Sequence, residues 1–416
     1  MKTAQQKAPW WAEGKFGLFV HWGLYAILAG AYKGKRTGNI AEWIMHDLRI
    51  PKTEYEKLAD QFNPAHFSAD ALVKLARDAG MRYVVFTAKH HDGFAMFDSK
   101  ADPYNVVAAT PYGRDVAMDF REACDKHGLK LCFYYSQAQD WHHPGGIEEA
   151  VCDPNPRFRE YLDEKCIPQL KELLTGYGDI GLIWFDTPMQ MTKSESEELA
   201  NLVRSLQPDC LISGRIGHGL GDYMTTGDNF LPLLPHPRAF EVPATINHTW
   251  GFSDYDHNWK KPQNLLRGLV KTVSRGGNYL LNIGPDKMGR IPEESANVLQ
   301  AMGRFMAANS EAIYGAAPVP VYPYDVGDWC LFTAKPHTLY LHLFEKRPDI
   351  YLLSIANKPL RATMLGSGEE LPITLRTTGE GDPSWRMPWP RADVESGLVV
   401  KVELTEEEVM FEALRG

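Results

Sequence analysis

Gly181-Leu182-Ile183-Trp184-Phe185-Asp186 is an apolar run that ends on a carboxylate. A short apolar run of this kind is typical of a strand that is buried on both faces in a parallel sheet. A buried strand that leads into an acidic residue at its carboxyl end is how a barrel enzyme presents a catalytic carboxylate. The stretch therefore predicts a parallel β structure with a functional site at its strand ends.

Strand-like and helix-like segments alternate on both sides of this run, which predicts a parallel sheet with helical crossovers. Polar residues end nearly every strand and no glycine-rich phosphate-binding turn follows one, so we favour a (β/α)8-like barrel over an open doubly wound sheet. We assign the barrel to residues 1–317 and expect Pro168 to disturb the helix predicted at 158–174. The predicted segments include the strands Lys15–His21, Arg82–Thr87, Lys130–Tyr135 and Asn278–Ile283, and the helices Ser68–Ala79 and Asp115–His127.

The alternation stops near Pro318. Short strand-like segments separated by Gly, Pro and Asp turns follow, a pattern typical of an antiparallel β-sandwich. We therefore predict a second domain at residues 318–416. Its strands are expected at Trp329–Thr333, Thr338–Phe344, Tyr351–Ile355, Leu371–Arg376 and Leu398–Leu404.

Composition limits the classes of partner. The chain has 416 residues and a net charge of −9, with Lys and Arg scattered, which argues against nucleic acid as a partner. No apolar stretch is long enough to span a membrane and no secretion signal is visible, so we expect a cytoplasmic protein if the chain is complete, and an exported one if a signal was removed. The six cysteines form no C-x-x-C pair and indicate no disulfide framework. The sequence is compatible with a homo-oligomer and does not determine the oligomeric state.

The chemically active residue types cluster at the predicted strand ends. His90 and His91 are adjacent and would point to opposite faces of a strand, which disfavours a shared metal ion. The Gly-x-Ser-x-Gly motif that carries the nucleophilic serine of α/β-hydrolases is absent from the sequence. What remains is a set of carboxylates among imidazoles and aromatic rings. That combination suits glycoside cleavage, with one carboxylate as nucleophile and another as acid/base. We expect no metal and no cofactor.

Several motifs also resemble those of the α-L-fucosidases of glycoside hydrolase family 29, over roughly residues 10–315. The resemblance implies a (β/α)8-like catalytic domain followed by a β-sandwich, and a metal-free retaining exo-fucosidase that acts on a fucosylated oligosaccharide or glycoconjugate. The motifs occur in order as Phe16–Gly23, Glu42-Trp43, Lys89–Phe94, Tyr134–Ser136, Trp184–Asp186, Arg215, Glu241–Phe252, Gly276–Pro285 and Asn309–Gly315.

The same resemblance implies roles for single residues. Asp186 matches the nucleophile. Asp228, 42 residues further on, is the first candidate for the acid/base, although many relatives carry the longer Glu near this position, and Glu241 is the alternative. The residues that match the fucose-binding set are His21, Glu42, Trp43, His90, His91, Tyr134, Trp184 and Arg215.

Two other interpretations fit the residues. One is a catalytically inactive carbohydrate-binding protein on the same scaffold. The other is a metal-dependent barrel hydrolase that uses His21, His90, His91 and an aspartate. Within the fucosidase interpretation, the linkage, the leaving group and the choice between hydrolysis and transfer depend on loops such as Thr187–Ser194 and Asn229–Ala239.

Overall fold

The computed structural model describes residues 3–148, 155–320, 327–378, 381–394 and 397–412. Eight parallel strands form one curved sheet in the order β5-β4-β3-β2-β1-β8-β7-β6, which confirms the predicted (β/α)8-like architecture. The strands are β1 Phe16–Val20, β2 Tyr83–Lys89, β3 Lys130–Ser136, β4 Leu182–Asp186, β5 Leu211–Ile212, β6 Met224–Thr225, β7 Phe240–Thr245 and β8 Asn278–Ile283.

The barrel is irregular where its two edges meet. The edge strands β5 and β6 have only two residues each. The amide of Asp222, just before β6, donates a hydrogen bond to the carbonyl of Ile212 in β5 (2.8 Å), which brings the edges together. The chain between β6 and β7, residues 226–239, is a loop without a helix. This loop carries Asp228 to the carboxyl-terminal mouth of the barrel.

Local sequence signals explain the ends of the helices around the barrel. Ser68 and Asp115 accept hydrogen bonds from the backbone amides of Ala71 and Met118, as N-caps do, and Gly128 ends its helix with φ of 72°. The long helices are Ala69–Asp78, Val116–His127, Ile167–Gly176, Lys193–Leu206, Pro262–Val273 and Glu293–Asn309. Short helices lie at Ala4–Lys7, Pro9–Gly14, Tyr25–Leu28, Ile44–Asp47, Lys52–Tyr55 and Phe158–Tyr161, and a hairpin joins Ala31–Tyr32 to Lys35–Arg36.

The disturbance expected at Pro168 is present as a π-helical segment, Leu162–Cys166. Pro168 has no N–H to donate to the carbonyl of Glu164, so the regular i→i−4 hydrogen bonds of an α-helix are interrupted here. Lys165, within the segment, is 1% exposed.

Lys165 belongs to a buried charge network behind β2. Its Nζ lies 2.9 Å from Asp140 and 2.7 Å from Asp102, and it donates to the carbonyl of Gly93 (2.9 Å). Lys89, the last residue of β2, lies 3.2 Å from the same Asp140. Two positive and two negative side chains therefore fix the chain on both sides of His90 and His91.

The C-terminal strands form a four-stranded and a three-stranded antiparallel sheet around their own apolar core. The first sheet has the order Cys330–Lys335, Thr338–Leu343, Leu398–Leu404, Pro359–Met364, and the second Asp349–Leu353, Pro383–Pro388, Thr374–Thr377. The division at residues 317 and 318 stays a prediction. It falls between the last barrel helix and the first sandwich strand.

The cysteines that the structure describes are buried free thiols, and Cys152 lies outside the described residues. In the described part of the chain, no helix has the length and apolarity needed to cross a membrane.

Replacing Lys165 with Met should destabilise the protein strongly. The substitution leaves the buried Asp140 without one of its two cations and also removes the ion pair to the partly exposed Asp102, and breaking a buried ion pair costs about 3–5 kcal/mol. Lys171→Met is the matched control, because Lys171 is exposed on the helix that follows, and it should change the free energy of unfolding by less than about 0.5 kcal/mol. Urea denaturation measures both values, and equal stabilities would contradict the role given to the network.

Candidate active site

A pocket opens at the carboxyl ends of the barrel strands, with a cavity volume of about 200 Å³. Ligand sites for drug-sized molecules are larger, about 300–1,000 Å³, so this cavity is suited to a single small ring. Every predicted site residue except Glu241 lines it. The lining residues are Phe19, His21, Asn39, Ile40, Glu42, Trp43, His90, His91, Tyr134, Trp184, Asp186, Thr187, Arg215, Asp228 and Trp250.

Asp186 is held in one orientation at the end of β4. Its Oδ1 accepts a hydrogen bond from Arg215 Nη1 (3.0 Å), and its Oδ2 accepts one from the hydroxyl of Tyr134 (2.9 Å). Burial alone would raise the pKa of Asp186, but the charge of Arg215 and the hydrogen bonds from Arg215 and Tyr134 outweigh it, so the pKa lies below its usual value. At neutral pH the pocket therefore contains a fixed, ionised carboxylate.

Arg215 joins this carboxylate to a second one. Its Nη2 forms an ion pair with Asp228 and donates to the carbonyl of Thr226 (3.2 Å), and the guanidinium lies over the ring of Trp184 at 4.8 Å. The Asp228 side chain is 46% exposed, whereas that of Asp186 is 11% exposed. The pocket thus has one walled-in carboxylate and one at its rim, on the same guanidinium.

The contacts of His91 determine its tautomer. The hydroxyl of Ser136 donates to the carbonyl of Gln139 (2.9 Å), so its oxygen must accept the 2.7 Å hydrogen bond from Nδ1–H of His91. The other nitrogen, Nε2, then carries a lone pair and lies 3.8 Å from Asp186. Burial lowers the pKa of His91 to about 4, so the ring is neutral at pH 7. A bound hydroxyl group could donate to either acceptor.

His21 is fixed in the same way by Asn282. The amide nitrogen of Asn282 donates to the carbonyl of Trp250 (2.7 Å), which leaves its Oδ1 to accept from Nδ1–H of His21 (2.7 Å). Nε2 of His21 is therefore an acceptor, and burial lowers the pKa of His21 to about 3. The neighbouring His90 stacks on Tyr134 at 5.3 Å, and burial also lowers its pKa.

Glu42, which lines the pocket, has one buried carboxylate oxygen without a hydrogen-bond partner among the described residues. Its Oε2 accepts from the amide of Gly251 (2.8 Å) and the hydroxyl of Thr249 (3.2 Å), but Oε1 is buried without a hydrogen-bond partner in the described structure. Leaving such an atom unpaired costs about 1–3 kcal/mol. Burial raises the pKa of Glu42 to about 7. A ligand hydroxyl would satisfy Oε1.

Glu241 has a different environment from the other predicted residues. It is fully buried on β7, and four aromatic donors occupy its carboxylate: Tyr83 (2.6 Å), Trp184 (2.8 Å), Tyr223 (3.2 Å) and Trp11 (3.4 Å). It does not line the pocket. Its contact with the pocket is indirect, through the indole of Trp184.

Some contributing residues were not among the predicted site residues. Gln137 accepts from the amide of Asp186 (2.7 Å) and donates to the carbonyl of Arg215 (2.9 Å), and Asn282 orients His21. Gln137 directly follows the motif Tyr134–Ser136, and Asn282 lies within the motif Gly276–Pro285. These positions in the sequence are the signal that could have identified both residues. The unpredicted pocket-lining residues are Phe19, Asn39, Ile40, Thr187 and Trp250.

The geometry indicates which ligand the pocket suits. Acceptors on His21, His91 and Glu42 match the hydroxyl donors of a sugar, and the rings of Tyr134 and Trp184, stacked at 5.7 Å, offer apolar surface. Among the described residues there is no group of three or more His, Cys, Asp or Glu arranged to hold a metal ion. Two carboxylates beside such a monosaccharide-sized pocket define the site of a glycoside hydrolase.

Comparisons with known proteins agree with this class. The family model described as Alpha-L-fucosidase matches residues 1–311. The alpha-L-fucosidase of Dictyostelium discoideum is 29% identical, with 89% of this chain and 87% of that protein covered. The crystal structure of alpha-L-fucosidase from Vibrio sp. strain EJY3 has a TM-score of 0.90 at 33% identity and covers 98% of this chain and 74% of that one.

A third relative is solved with a sugar bound. Alpha-L-fucosidase AlfC from Lactobacillus casei, in complex with its α-L-fucose product, has a TM-score of 0.68 at 42% identity and covers 73% of this chain and 99% of that one. The chain described here belongs to the α-L-fucosidase family, glycoside hydrolase family 29.

Fucose affinity should rise with pH between about 5.5 and 7.5, because a hydroxyl that donates to Glu42 Oε1 favours the ionised form of a carboxyl group whose pKa is about 7. By linkage, a one-unit fall in this pKa on binding corresponds to about tenfold tighter binding above the transition. His21 and His91 stay neutral throughout this range. Calorimetric titration with fucose measures the profile.

Glu42→Gln is the control for this pH dependence. The amide keeps the shape of the side chain but does not titrate, so its profile should be flat. A wild-type affinity that is constant or falls with pH would contradict the contact between Glu42 and a donating hydroxyl.

Proposed function

We propose that the protein is a retaining exo-α-L-fucosidase, with Asp186 as nucleophile and Asp228 as acid/base. The observation that carries the proposal is the pair of carboxylates on Arg215, one ionised and walled in by Tyr134, the other half exposed at the rim. A nucleophile needs the first environment. An acid/base residue must reach both the leaving alcohol and the incoming water, and the half-exposed position of Asp228 gives that access.

The size of the pocket supports exo action. A cavity of about 200 Å³ accommodates one terminal sugar, with its hydroxyls against the acceptors of His21, His91 and Glu42. The methyl group of fucose would contact aromatic rings. The similar enzyme AlfC has been solved, as a D200A mutant, in complex with Fuca(1,6)GlcNAc, and we propose the same class of substrate, a fucosylated glycan, for this chain.

The proposed reaction has two displacements. A carboxylate oxygen of Asp186 attacks the anomeric carbon, the bond from this carbon to the leaving oxygen breaks, and Asp228 transfers its proton to that oxygen. Water then attacks the fucosyl-enzyme while Asp228 takes a proton from it, which releases Asp186 and gives α-L-fucose. Each step inverts the anomeric carbon, so the overall reaction retains its configuration.

Arg215 and Tyr134 would assist by keeping Asp186 ionised and aimed. As a bond forms from Asp186 to the sugar, its negative charge decreases, and it returns when the intermediate is hydrolysed. Donors already in place, such as the guanidinium and the phenol hydroxyl, need no reorganisation during these changes. The stacking of Arg215 on Trp184, itself bonded to Glu241, fixes the guanidinium from behind.

Replacing Asp186 with Ala should abolish turnover of 4-nitrophenyl α-L-fucoside, because no covalent intermediate can form. Azide enters the space left by the carboxylate and should restore part of the activity, giving the β-fucosyl azide by a single inversion. Release of nitrophenol and NMR of the azide product check both expectations. Asp209→Ala, which removes an exposed carboxylate outside the pocket, should retain activity, and near-normal activity of Asp186→Ala would refute the assignment.

The acid/base assignment predicts a leaving-group effect for Asp228→Asn. A nitrophenolate leaves without protonation, whereas a sugar alcohol needs a proton, and general acid catalysis is worth about 10²–10⁴-fold. We expect kcat/KM to fall far more on a fucosyl disaccharide than on nitrophenyl fucoside. Azide should accelerate this variant and give the α-fucosyl azide, the opposite anomer from Asp186→Ala.

Glu241→Gln is the matched comparison for Asp228→Asn. An amide nitrogen at this position would face N–H and O–H donors, so we expect a loss of stability and a uniform loss of activity on both substrates. Leaving-group dependence in Glu241→Gln, with Asp228→Asn active on both substrates, would exchange the two roles.

A further inference from the structure

We propose that Phe230 is a specificity-determining residue that binds the apolar face of the leaving-group sugar. This inference rests on the proposed function, in which Asp228 protonates the leaving oxygen. An acid must lie within hydrogen-bond reach of the atom that it protonates. The leaving group therefore begins beside Asp228, and the side chains that flank Asp228 are among those that it can contact.

Asp228 and Phe230 are carried by the same tight turn. The amide of Phe230 donates to the carbonyl of Gly227 (3.0 Å), which closes the four-residue turn 227–230. A Cβ atom placed on Gly227 would lie 3.6 Å from Cβ of Phe230, so the aromatic side chain starts close to the backbone that presents Asp228. Phe230 is 59% exposed.

Asn229, which lies between Asp228 and Phe230, fixes the turn to the barrel. Asn229 has a φ of 57°, in the left-handed region that asparagine tolerates. Its Oδ1 accepts from the amide of Thr245 (3.0 Å) and from Lys260 Nζ (2.8 Å), and its own amide donates to the carbonyl of Pro243 (2.9 Å). The position of Phe230 relative to Asp228 is therefore set by β7 and does not depend on the rest of the loop.

An exposed aromatic side chain at this place suits a pyranose. The C–H face of a sugar ring and the face of a phenyl ring are both apolar, and their contact removes apolar surface from water. The pocket itself accommodates only one sugar, so the second ring of a disaccharide must lie outside it, beside Asp228. The exposed Phe230 is carried on the same turn as Asp228. We therefore assign to Phe230 the sugar that is released, rather than the fucose.

Three fucosides separate this role from its alternatives. Fucosyl fluoride has no leaving-group ring and needs no acid. Nitrophenyl fucoside has a ring but needs no acid. A fucosyl-N-acetylglucosamine disaccharide has a ring and needs the acid. We expect Phe230→Ala to lower kcat/KM about threefold to tenfold on the two substrates with rings, the range for loss of one aromatic contact, and to leave fucosyl fluoride within about twofold.

Two further variants complete the test. Phe230→Tyr keeps the aromatic ring and should restore kcat/KM on both nitrophenyl fucoside and the disaccharide. Leu360→Ala removes an apolar side chain of nearly equal exposure (60%) on the C-terminal sheets and should leave kcat/KM for all three substrates unchanged.

Each other outcome contradicts the inference. A loss on the disaccharide alone would show that Phe230→Ala misplaces Asp228, and an equal loss on all three substrates would show a general structural effect. No loss on any substrate, with a change of oligomeric state in light scattering, would assign Phe230 to a contact between copies of the chain. A wild-type enzyme inactive on all three fucosides would instead refute the proposed function.

Discussion

The ion pair between Arg215 and Asp186 is the interaction on which the rest of the site depends. Burial opposes a charge on Asp186, and without Arg215 and Tyr134 the carboxyl group would be neutral more often, which would make it a poor nucleophile in the proposed reaction. The same guanidinium also contacts Asp228. The guanidinium of Arg215 thus keeps Asp186 ionised in the pocket and positions Asp228 at the rim of the pocket.

The fold brings these residues together from distant parts of the chain. Asp186 ends β4, Tyr134 lies in the adjacent β3, and Arg215 follows β5, so the carboxyl ends of three neighbouring strands meet at one point. Behind them, the buried network around Lys165 fixes the segment with His90 and His91. Hydrogen bonds to Ser136 and Asn282 fix the tautomers of the neutral His91 and His21, and this turns the pocket into a set of acceptors for hydroxyl groups.

Much of this was predictable from sequence, because strand periodicity and strand-end chemistry are local signals. The barrel, the helices predicted from Ser68 and Asp115 and the pocket residues around Asp186 follow from such signals. The environment of Glu241 does not, because its four aromatic donors come from separate segments of the chain. The same is true of Gln137 and Asn282, whose roles depend on which atom faces which. The sequence indicates which residue types lie at the strand ends, whereas the direction of each hydrogen bond can be assigned only from the three-dimensional structure.

The central claim is that Asp186 forms the covalent bond to the sugar. The most direct measurement is peptide mass spectrometry after incubation with 2-deoxy-2-fluoro-L-fucosyl fluoride, because the ring fluorine slows both displacements while the fluoride leaving group keeps the first one fast enough for the intermediate to accumulate. We expect one fluorofucosyl group on the peptide that contains Asp186, and loss of activity in proportion to labelling. A label on another residue, or an enzyme inactivated without any covalent sugar, would contradict this claim.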